Sequence, residues 1–325
     1  MNDVLAVLSA SERALVSRSA APEWVEPMKA TLAAEPFTDP AWIFERKLDG
    51  IRSISRRTRS QVSLLSRNDL SLNARFPELV PALEGIASAD FVADGEIVAF
   101  EGHRTSFARL ARRHQERVPV FLYLFDLLYL DDYDLRRLPL MARKRLLRHA
   151  FDFGGRIRLT SYRRRDGEPL FGEACRRGWE GLVAKRIDSP YTGRRSRDWL
   201  KLKCTNEQEL VIGGYTAPRG SRIELGALLV GYFQGDRLIY AGRVGTGFDR
   251  ATLRDLAGRL APLRRDSSPF ADPDVPARDT TWVEPRLVAQ VAFAEWTRAG
   301  RLRHPRFVGL REDKDAREVV RELPT

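Results

Sequence analysis

The chain is poor in the residues that most often build metal and disulfide frameworks. Its 325 residues include only two cysteines, Cys175 and Cys204, and four dispersed histidines. That excludes a disulfide scaffold and a structural zinc site of standard ligand spacing, so any metal must be held by oxygen. Long apolar runs are missing as well; none approaches the roughly 20 residues of a membrane helix, and no membrane association is expected. The opening Met1-Asn2-Asp3-Val4-Leu5-Ala6-Val7-Leu8 has neither the basic start nor the long apolar stretch of a secretory signal, from which a cytoplasmic location is expected. Lysine is the least expected scarcity. Of 55 basic residues seven are lysine and 48 arginine, so arginine supplies the bulk charge. Arginine stays protonated, whereas a desolvated lysine can lose its proton and act as a nucleophile.

What is present suits a soluble two-domain protein: 43% hydrophobic and 30% charged residues, with a net charge of +11. The positive excess fits a polyanionic partner, because neutralising phosphates releases counterions; an arginine-biased genome would give the same excess. Residues 1–22 show no tight core pattern and read as a tail or a short helix with a loose end. From Trp42 to Lys203 the periodicity predicts strands near 42–48, 52–57, 62–67, 91–100, 119–130, 181–187 and 199–203, and helices near 75–87, 106–114, 139–149 and 168–177. This predicts an α+β domain of antiparallel sheets with flanking helices over residues 23–204. The polar stretch Thr205-Asn206-Glu207-Gln208 is expected to be a hinge, followed over 209–325 by strands, a Gly235-Asp236 turn, a helix from Asp249 to about Arg264 and a strand near 286–296. Such a set suits a small Greek-key barrel of the OB-fold type.

The sharpest local pattern is Glu45-Arg46-Lys47-Leu48-Asp49-Gly50-Ile51-Arg52, where a strand runs into an Asp-Gly turn and leaves a lysine at its lip. Alone it could be a hairpin turn with a solvated lysine. Down the chain follow Ser66-Arg67-Asn68, Asp94-Gly95-Glu96, Phe125-Asp126, Glu180-Gly181-Leu182-Val183-Ala184-Lys185, Trp199-Leu200-Lys201-Leu202-Lys203, and Arg303 with Arg311-Glu312-Asp313-Lys314. Several members have a plainer reading: Glu96 and Glu180 as exposed strand-end acids, Phe125 as core, Arg67 as a surface ion pair, and Lys201 with Lys203 as the polar face of a half-buried strand. Five of the seven lysines nonetheless fall inside these motifs.

The series resembles the covalent lysine nucleotidyltransferases, which comprise ATP-dependent DNA ligases, RNA ligases and mRNA capping enzymes, and most of all the bacterial ATP-dependent DNA ligases of the non-homologous end-joining type. The resemblance runs from about residue 24 to the C-terminus. It implies ATP as cofactor and Lys47 as nucleophile, forming a lysyl-AMP intermediate. It assigns Glu96 and Glu180 to Mg²⁺ or Mn²⁺, and Glu45, Arg52, Arg67, Glu96, Phe125, Lys185, Lys201, Lys203, Arg303 and Lys314 to the nucleotide. Within that set Phe125 would stack on adenine, Glu45 would read its edge, and Lys185 would meet the phosphates. Arg67 and Asp313 are further implied to meet the substrate. Two departures, Asp69 after Ser-Arg-Asn and Asp132 after Tyr129-Leu130-Asp131, leave the core chemistry intact.

An amine attacking phosphorus must be neutral, so neighbouring cations (a metal ion, Arg52, Lys201 or Lys203) are expected to lower the proton affinity of Lys47. The i, i+2 spacing of Lys201 and Lys203 puts both on one strand face, within reach of one triphosphate. The implied partners are nicked or broken duplex DNA, the end-binding protein Ku and a repair polymerase, with the chain itself a monomer. RNA-end chemistry, which uses the same lysine, is the competing enzymatic reading; a catalytically dead DNA-binding scaffold is the competing non-enzymatic one.

Overall fold

A computed structural model describes all residues except 1–4, 60, 88, 115, 219–223, 274 and 324–325. The chain separates into two compact units, Met1–Cys204 and Thr205–Leu323. In the first, two sheets form from the apolar alternations read above. One follows the order Ser17–Arg18, Tyr133–Asp134, Val120–Leu130, Phe91–Glu101, Ile51–Thr58, Gln61–Leu65; the other runs Tyr162–Arg164, Trp42–Arg46, Gly181–Arg186, Arg195–Lys203, Lys29–Leu32. Most pairings are antiparallel; Ile157–Leu159 on Leu122–Leu124 and Lys29–Leu32 on Arg195–Lys203 are parallel.

Period-two alternation decides which side chains reach the site. On the back of the second sheet Phe44, Leu182, Ala184 and Leu202 pack against Leu170 and Ala174 of helix Gly167–Arg176. The opposite face carries Glu45, Val183, Lys185, Trp199 and Lys201. Trp199 joins Phe125, Leu128, Tyr129, Ile54 and Val92 of the first sheet, with Met28 and Tyr191, in one buried cluster. Each large apolar side chain so buried stabilises the unit by about 1.5–3 kcal/mol before entropy. The two sheets are thereby held together beside the site.

The second unit is a sheet in the order Arg237–Val244, Leu228–Gln234, Asn206–Thr216, Thr280–Val283, Arg264–Arg265, with Val288–Phe293 joining Asn206–Thr216 to Arg306–Leu310. Gly235, at φ +60°, turns the expected hairpin. Asp249 caps helix Arg250–Leu260 by accepting from the Thr252 N–H at 2.8 Å, and Leu253, Leu256 and Leu260 face the core.

Several expectations are corrected. Asn206, Glu207 and Gln208 are not a polar linker; they pair with Phe293, Ala292 and Val291 as the start of a strand, which leaves Cys204 and Thr205 between strands. The N-terminal segment does not end loosely: Ser9 forms a capping box with Glu12 at helix Ala10–Arg13, and Ser17–Arg18 pairs with Tyr133–Asp134. Cys175 and Cys204 are bonded to each other, one cross-link rather than a scaffold. The helix expected over 75–87 shrinks to Leu79–Glu84, with Pro81 tolerated because the first turn has no use for its missing N–H.

Candidate active site

The Lys-x-Asp-Gly turn is built by contacts that the motif residues make themselves. Asp49 accepts from the Phe107 N–H at 2.8 Å, at the start of helix Phe107–Ala111, and its own N–H donates to Thr105 Oγ1 at 3.0 Å. Gly50 passes so near strand Phe91–Glu101 that a Cβ would lie 2.1 Å from the Ile97 carbonyl oxygen. On the other side the Lys47 N–H donates to the Gly181 carbonyl at 2.9 Å. Gly181, at φ +148°, has no room for a Cβ, which would fall 1.9 Å from the Leu202 oxygen. Lys47 is therefore clamped between both sheets by backbone contacts that only these residue types permit.

A cavity of about 140 Å³ opens there, and Glu45, Lys47, Arg52, Glu96, Phe125, Lys185 and Lys201 all line it. At one end the Lys47 ammonium donates a short hydrogen bond to Glu180 Oε1. Burial would lower its proton affinity, but Glu180, with Asp49 and Glu96 nearby, more than offsets this, and Lys47 is held well above the usual lysine range. Among the protein's own groups the carboxylates therefore prevail, against the expectation that Arg52, Lys201 or Lys203 lowers it. Arg52 is committed elsewhere: its Nε and Nη2 grip both oxygens of buried Asp94 at 2.5 and 2.6 Å. The Arg52 guanidinium also lies 4.7 Å from the Phe125 ring centroid. Tyr191 completes that network through Oη donating to Asp94 Oδ2 at 2.6 Å. Burial and the adjacent Asp94 carboxylate push the Tyr191 hydroxyl well above its usual range, so it remains a donor.

At the other end Glu45, 2% exposed, pairs through Oε2 with Lys185 Nζ at 2.7 Å and through Oε1 with Lys144 Nζ in a closer contact. Lys185 Nζ lies 4.1 Å from the Phe125 ring centroid and 4.0 Å from that of Trp199. Burial lowers its proton affinity to about 8, against the opposing pull of Glu45. Lys185, which the resemblance assigns to the phosphates, is thus walled by Phe125 and Glu45, which it assigns to the base, and by Trp199. Phe125 belongs to the core, 7% exposed in its cluster, and it also faces the cavity.

Lys201 reaches the cavity with Trp199, while Leu200 and Leu202 point to the back of the sheet; Lys203, on the same face as Lys201, is in register with Gly181. Arg67 sits in the turn after strand Gln61–Leu65, where Ser66 Oγ accepts from the Asn68 and Leu70 N–H groups, and it is not among the cavity-lining residues. The remaining three residues belong to the second unit. Arg303 forms an exposed pair with Glu295 at 2.7 Å, and Lys314 pairs with Glu209 at 2.7 Å. Asp313 is 2% exposed and gripped by Arg311 at 2.9 and 2.7 Å. Burial alone would raise the Asp313 carboxyl, yet Arg311 and Lys314 hold it below the usual range.

No group of three or more His, Cys, Asp or Glu side chains that could hold a metal ion occurs among the described residues. Glu180 Oε2 is nevertheless buried without a hydrogen-bond partner, and Glu96 lines the adjoining cavity. Two carboxylates, one with an unsatisfied oxygen, fit a hard divalent cation that takes its other ligands from phosphate oxygens and water. Sequence reasoning missed Lys144, Asp94, Tyr191 and Trp199 as site residues. The scarcity of lysine could have found Lys144.

Residues 24–203 match the family described as "ATP dependent DNA ligase domain", and residues 221–314 that described as "ATP dependent DNA ligase C terminal region". The chain is 43% identical over 316 residues to the "Multifunctional non-homologous end joining protein LigD" of Pseudomonas aeruginosa, covering 93% of this chain and 37% of that one. It is 40% identical over 287 residues to the "Multifunctional non-homologous end joining DNA repair protein LigD" of Mycobacterium tuberculosis, covering 86% and 37%. This chain thus spans little more than a third of the length of these relatives. Among solved structures, "mycobacterial DNA ligase D complexed with ATP and MES" superposes with a TM-score of 0.68 at 38% identity, covering 92% of this chain and 98% of that one.

Proposed function

The chain belongs to the ATP-dependent DNA ligases, and from that premise we propose that it seals breaks in duplex DNA through a lysyl-AMP on Lys47. The Lys47 amine attacks the α-phosphorus of ATP and pyrophosphate departs. The AMP then passes to a 5′-phosphate at the break, and the adjoining 3′-hydroxyl displaces AMP to form the phosphodiester. The observation that carries this reading is the single cavity shared by Lys47, Glu45, Glu96, Phe125, Lys185 and Lys201.

The residues divide the work by position. Phe125 and Trp199 offer aromatic walls for the base, with Glu45 and Lys185 beside them; Lys201 and Lys203, on one strand face, neutralise phosphate charge. Arg52, held by Asp94, closes the wall of the nucleotide cavity over Phe125. Lys47 cannot attack while its lone pair carries a proton, and Glu180 is the group bonded to that proton. A Mg²⁺ or Mn²⁺ ion on Glu180 and Glu96 would neutralise the carboxylates that hold the proton on Lys47 and stabilise the charge developing on the phosphates.

Residues 23–204 act in this reading as the adenylyltransferase domain and 209–325 as an OB-fold domain that brings Arg303 and Lys314 to the nucleotide. In this reading the hinge is Cys204 and Thr205, between the strands ending at Lys203 and starting at Asn206, shorter than the 205–208 expected from sequence. The cellular role is end joining in DNA repair, with Ku and a repair polymerase as partners, the chain acting as a monomer on nucleoid DNA in the cytoplasm. No helix among the described residues is long and apolar enough to cross a membrane.

The test offers labelled ATP and GTP to the protein with Mg²⁺ or Mn²⁺, then nicked, blunt and cohesive DNA duplexes and a nicked RNA. Covalent label from ATP, lost in Lys47→Ala, followed by sealing of DNA is the expected result. Label from GTP alone, or sealing of RNA alone, would refute DNA ligation.

A further inference from the structure

Arg143-Lys144-Arg145 lies on helix Leu140–Ala150, and its three cations face three ways. Arg143, fully buried, grips Asp126 through Nε and Nη2 at 2.7 and 2.9 Å. Arg145 reaches Glu12 at the surface at 2.6 Å. Lys144 turns inward and is 5% exposed. Its Nζ donates to the Phe125 carbonyl at 2.9 Å, pairs with Glu45 Oε1, and lies 5.5 Å from the Tyr162 ring centroid.

A chain that uses arginine almost everywhere places lysine here, between two arginines. A guanidinium is a broad plane whose five N–H groups need acceptors, whereas a compact ammonium fits between one carbonyl and one carboxylate oxygen. Lys144 therefore holds two parts of the cavity wall at once, the backbone of Phe125 and the carboxylate of Glu45, without being among the lining residues itself. Lys185 takes the other Glu45 oxygen. One carboxylate is thus bracketed by two buried cations.

We propose that Lys144 is a positioning residue for the nucleotide base: from behind the wall it ties Glu45 to Phe125, so that carboxylate and ring meet the purine in one geometry. The inference rests on the adenylyltransferase reading of Lys47. Lys144→Met keeps the stem and removes the charge, loosening Glu45. The KM for ATP in self-adenylylation then rises about tenfold, the loss of one charge-assisted contact, while kcat stays within about threefold because the Lys47 end is untouched. Discrimination of ATP against GTP falls with it.

A second readout separates positioning from simple packing. Lys185 is faced by Glu45 from strand Trp42–Arg46, by Lys144 from the helix, by Asp126 and the Phe125 ring from strand Val120–Leu130, and by Trp199; Arg52 lies across the same two rings. Removing Lys144 takes away a positive neighbour that disfavours charge on Lys185. The high-pH limb of kcat/KM for ATP, where Lys185 loses its proton, therefore moves to higher pH in Lys144→Met and returns toward the wild-type position in Lys144→Arg.

The experiment measures self-adenylylation by the full chain with labelled ATP, across pH, for wild type, Lys144→Met, Lys144→Arg, Glu45→Gln and the Lys144→Met/Glu45→Gln pair. If Lys144 works through Glu45, its loss adds little to the KM of Glu45→Gln. Independent, multiplying effects would overturn the proposal, as would a folded Lys144→Met with wild-type KM, ATP preference and pH limb. Should Lys144→Met not fold, Lys144→Arg decides: a raised KM with an unmoved pH limb supports the proposal, and an unchanged KM overturns it. A wild-type chain that takes no label from ATP would instead refute the adenylyltransferase reading.

Discussion

The two ends of the cavity hold the same pair of residue types in opposite electrostatic states. Lys47 and Lys185 each sit against a glutamate, Glu180 and Glu45, yet Lys47 is held above the usual lysine range and Lys185 is pushed down to about 8. The difference lies in the company. Lys47 is 21% exposed and faces Glu180, Asp49 and Glu96, whereas Lys185 is 2% exposed and shares its one paired carboxylate with Lys144. Proximity to an acid does not fix the charge of a lysine; the local balance of acids, bases and water does. One end stores a proton on Lys47, and the other keeps a cation poised to lose its charge near neutrality.

The largest effect that would sharpen this contrast is at Lys47, the proposed nucleophile. Lys47→Ala should reduce covalent AMP incorporation by at least about 10⁴-fold, while sealing of a pre-adenylylated nick stays measurable; loss of both in a folded variant would give Lys47 a broader role. Glu180→Gln comes next. It should lower self-adenylylation by about 100-fold and bring the titration of the Lys47 amine, followed by NMR of labelled lysine, down in pH. An unmoved Lys47 titration would break the comparison, because Glu180 would then not be what holds its proton.

At the opposite end the prediction concerns stability. Lys185 has a lowered proton affinity when folded, so between about pH 8 and the unfolded value near 10.5 the unfolded chain binds more protons and stability rises with pH. The gain amounts to about 3 kcal/mol over that window, and chemical denaturation should show its slope vanish in Lys185→Met. Lys47, raised when folded, contributes stability that is fully present below about 10.5 and is lost only as pH rises above it, so the two ends do not mask each other. The smallest effect belongs to Lys29, which pairs with Glu26 at the surface. Lys29→Ala should change stability by no more than about 0.5 kcal/mol and leave adenylylation unchanged; a large effect would mean that lysine scarcity, not the cavity, explains the contrast.

The sequence made local matters legible. Asp49 and Gly50 announced the turn that presents Lys47, and the alternation Trp199-Leu200-Lys201-Leu202 correctly divided a cavity face from a packed face. Direction of charge was not legible. The proton affinity of Lys47 is set by Glu180, 133 residues away in sequence, and no spacing rule shows that Arg52 turns to Asp94. Short strands such as Ser17–Arg18 and Tyr162–Arg164 carry too few residues to display a period and exist because longer strands offer them an edge. Nor does the motif show that Arg311, two residues before Asp313, grips its carboxylate. The Cys175–Cys204 bond likewise depends on folding: it joins the end of helix Gly167–Arg176 to the residue after strand Arg195–Lys203.

The Lys47–Glu180 hydrogen bond also bears on what the protein avoids. Reducing sugars, cyanate and activated acyl compounds modify amines only through a free lone pair. A lysine whose proton is secured by a buried carboxylate is a poor target for them, even though it must be open enough to receive a nucleotide. With Lys47 as the proposed nucleophile, the same pairing that delays the reaction guards the one amine whose accidental acylation would end self-adenylylation, and it costs the chain no additional residue to do so.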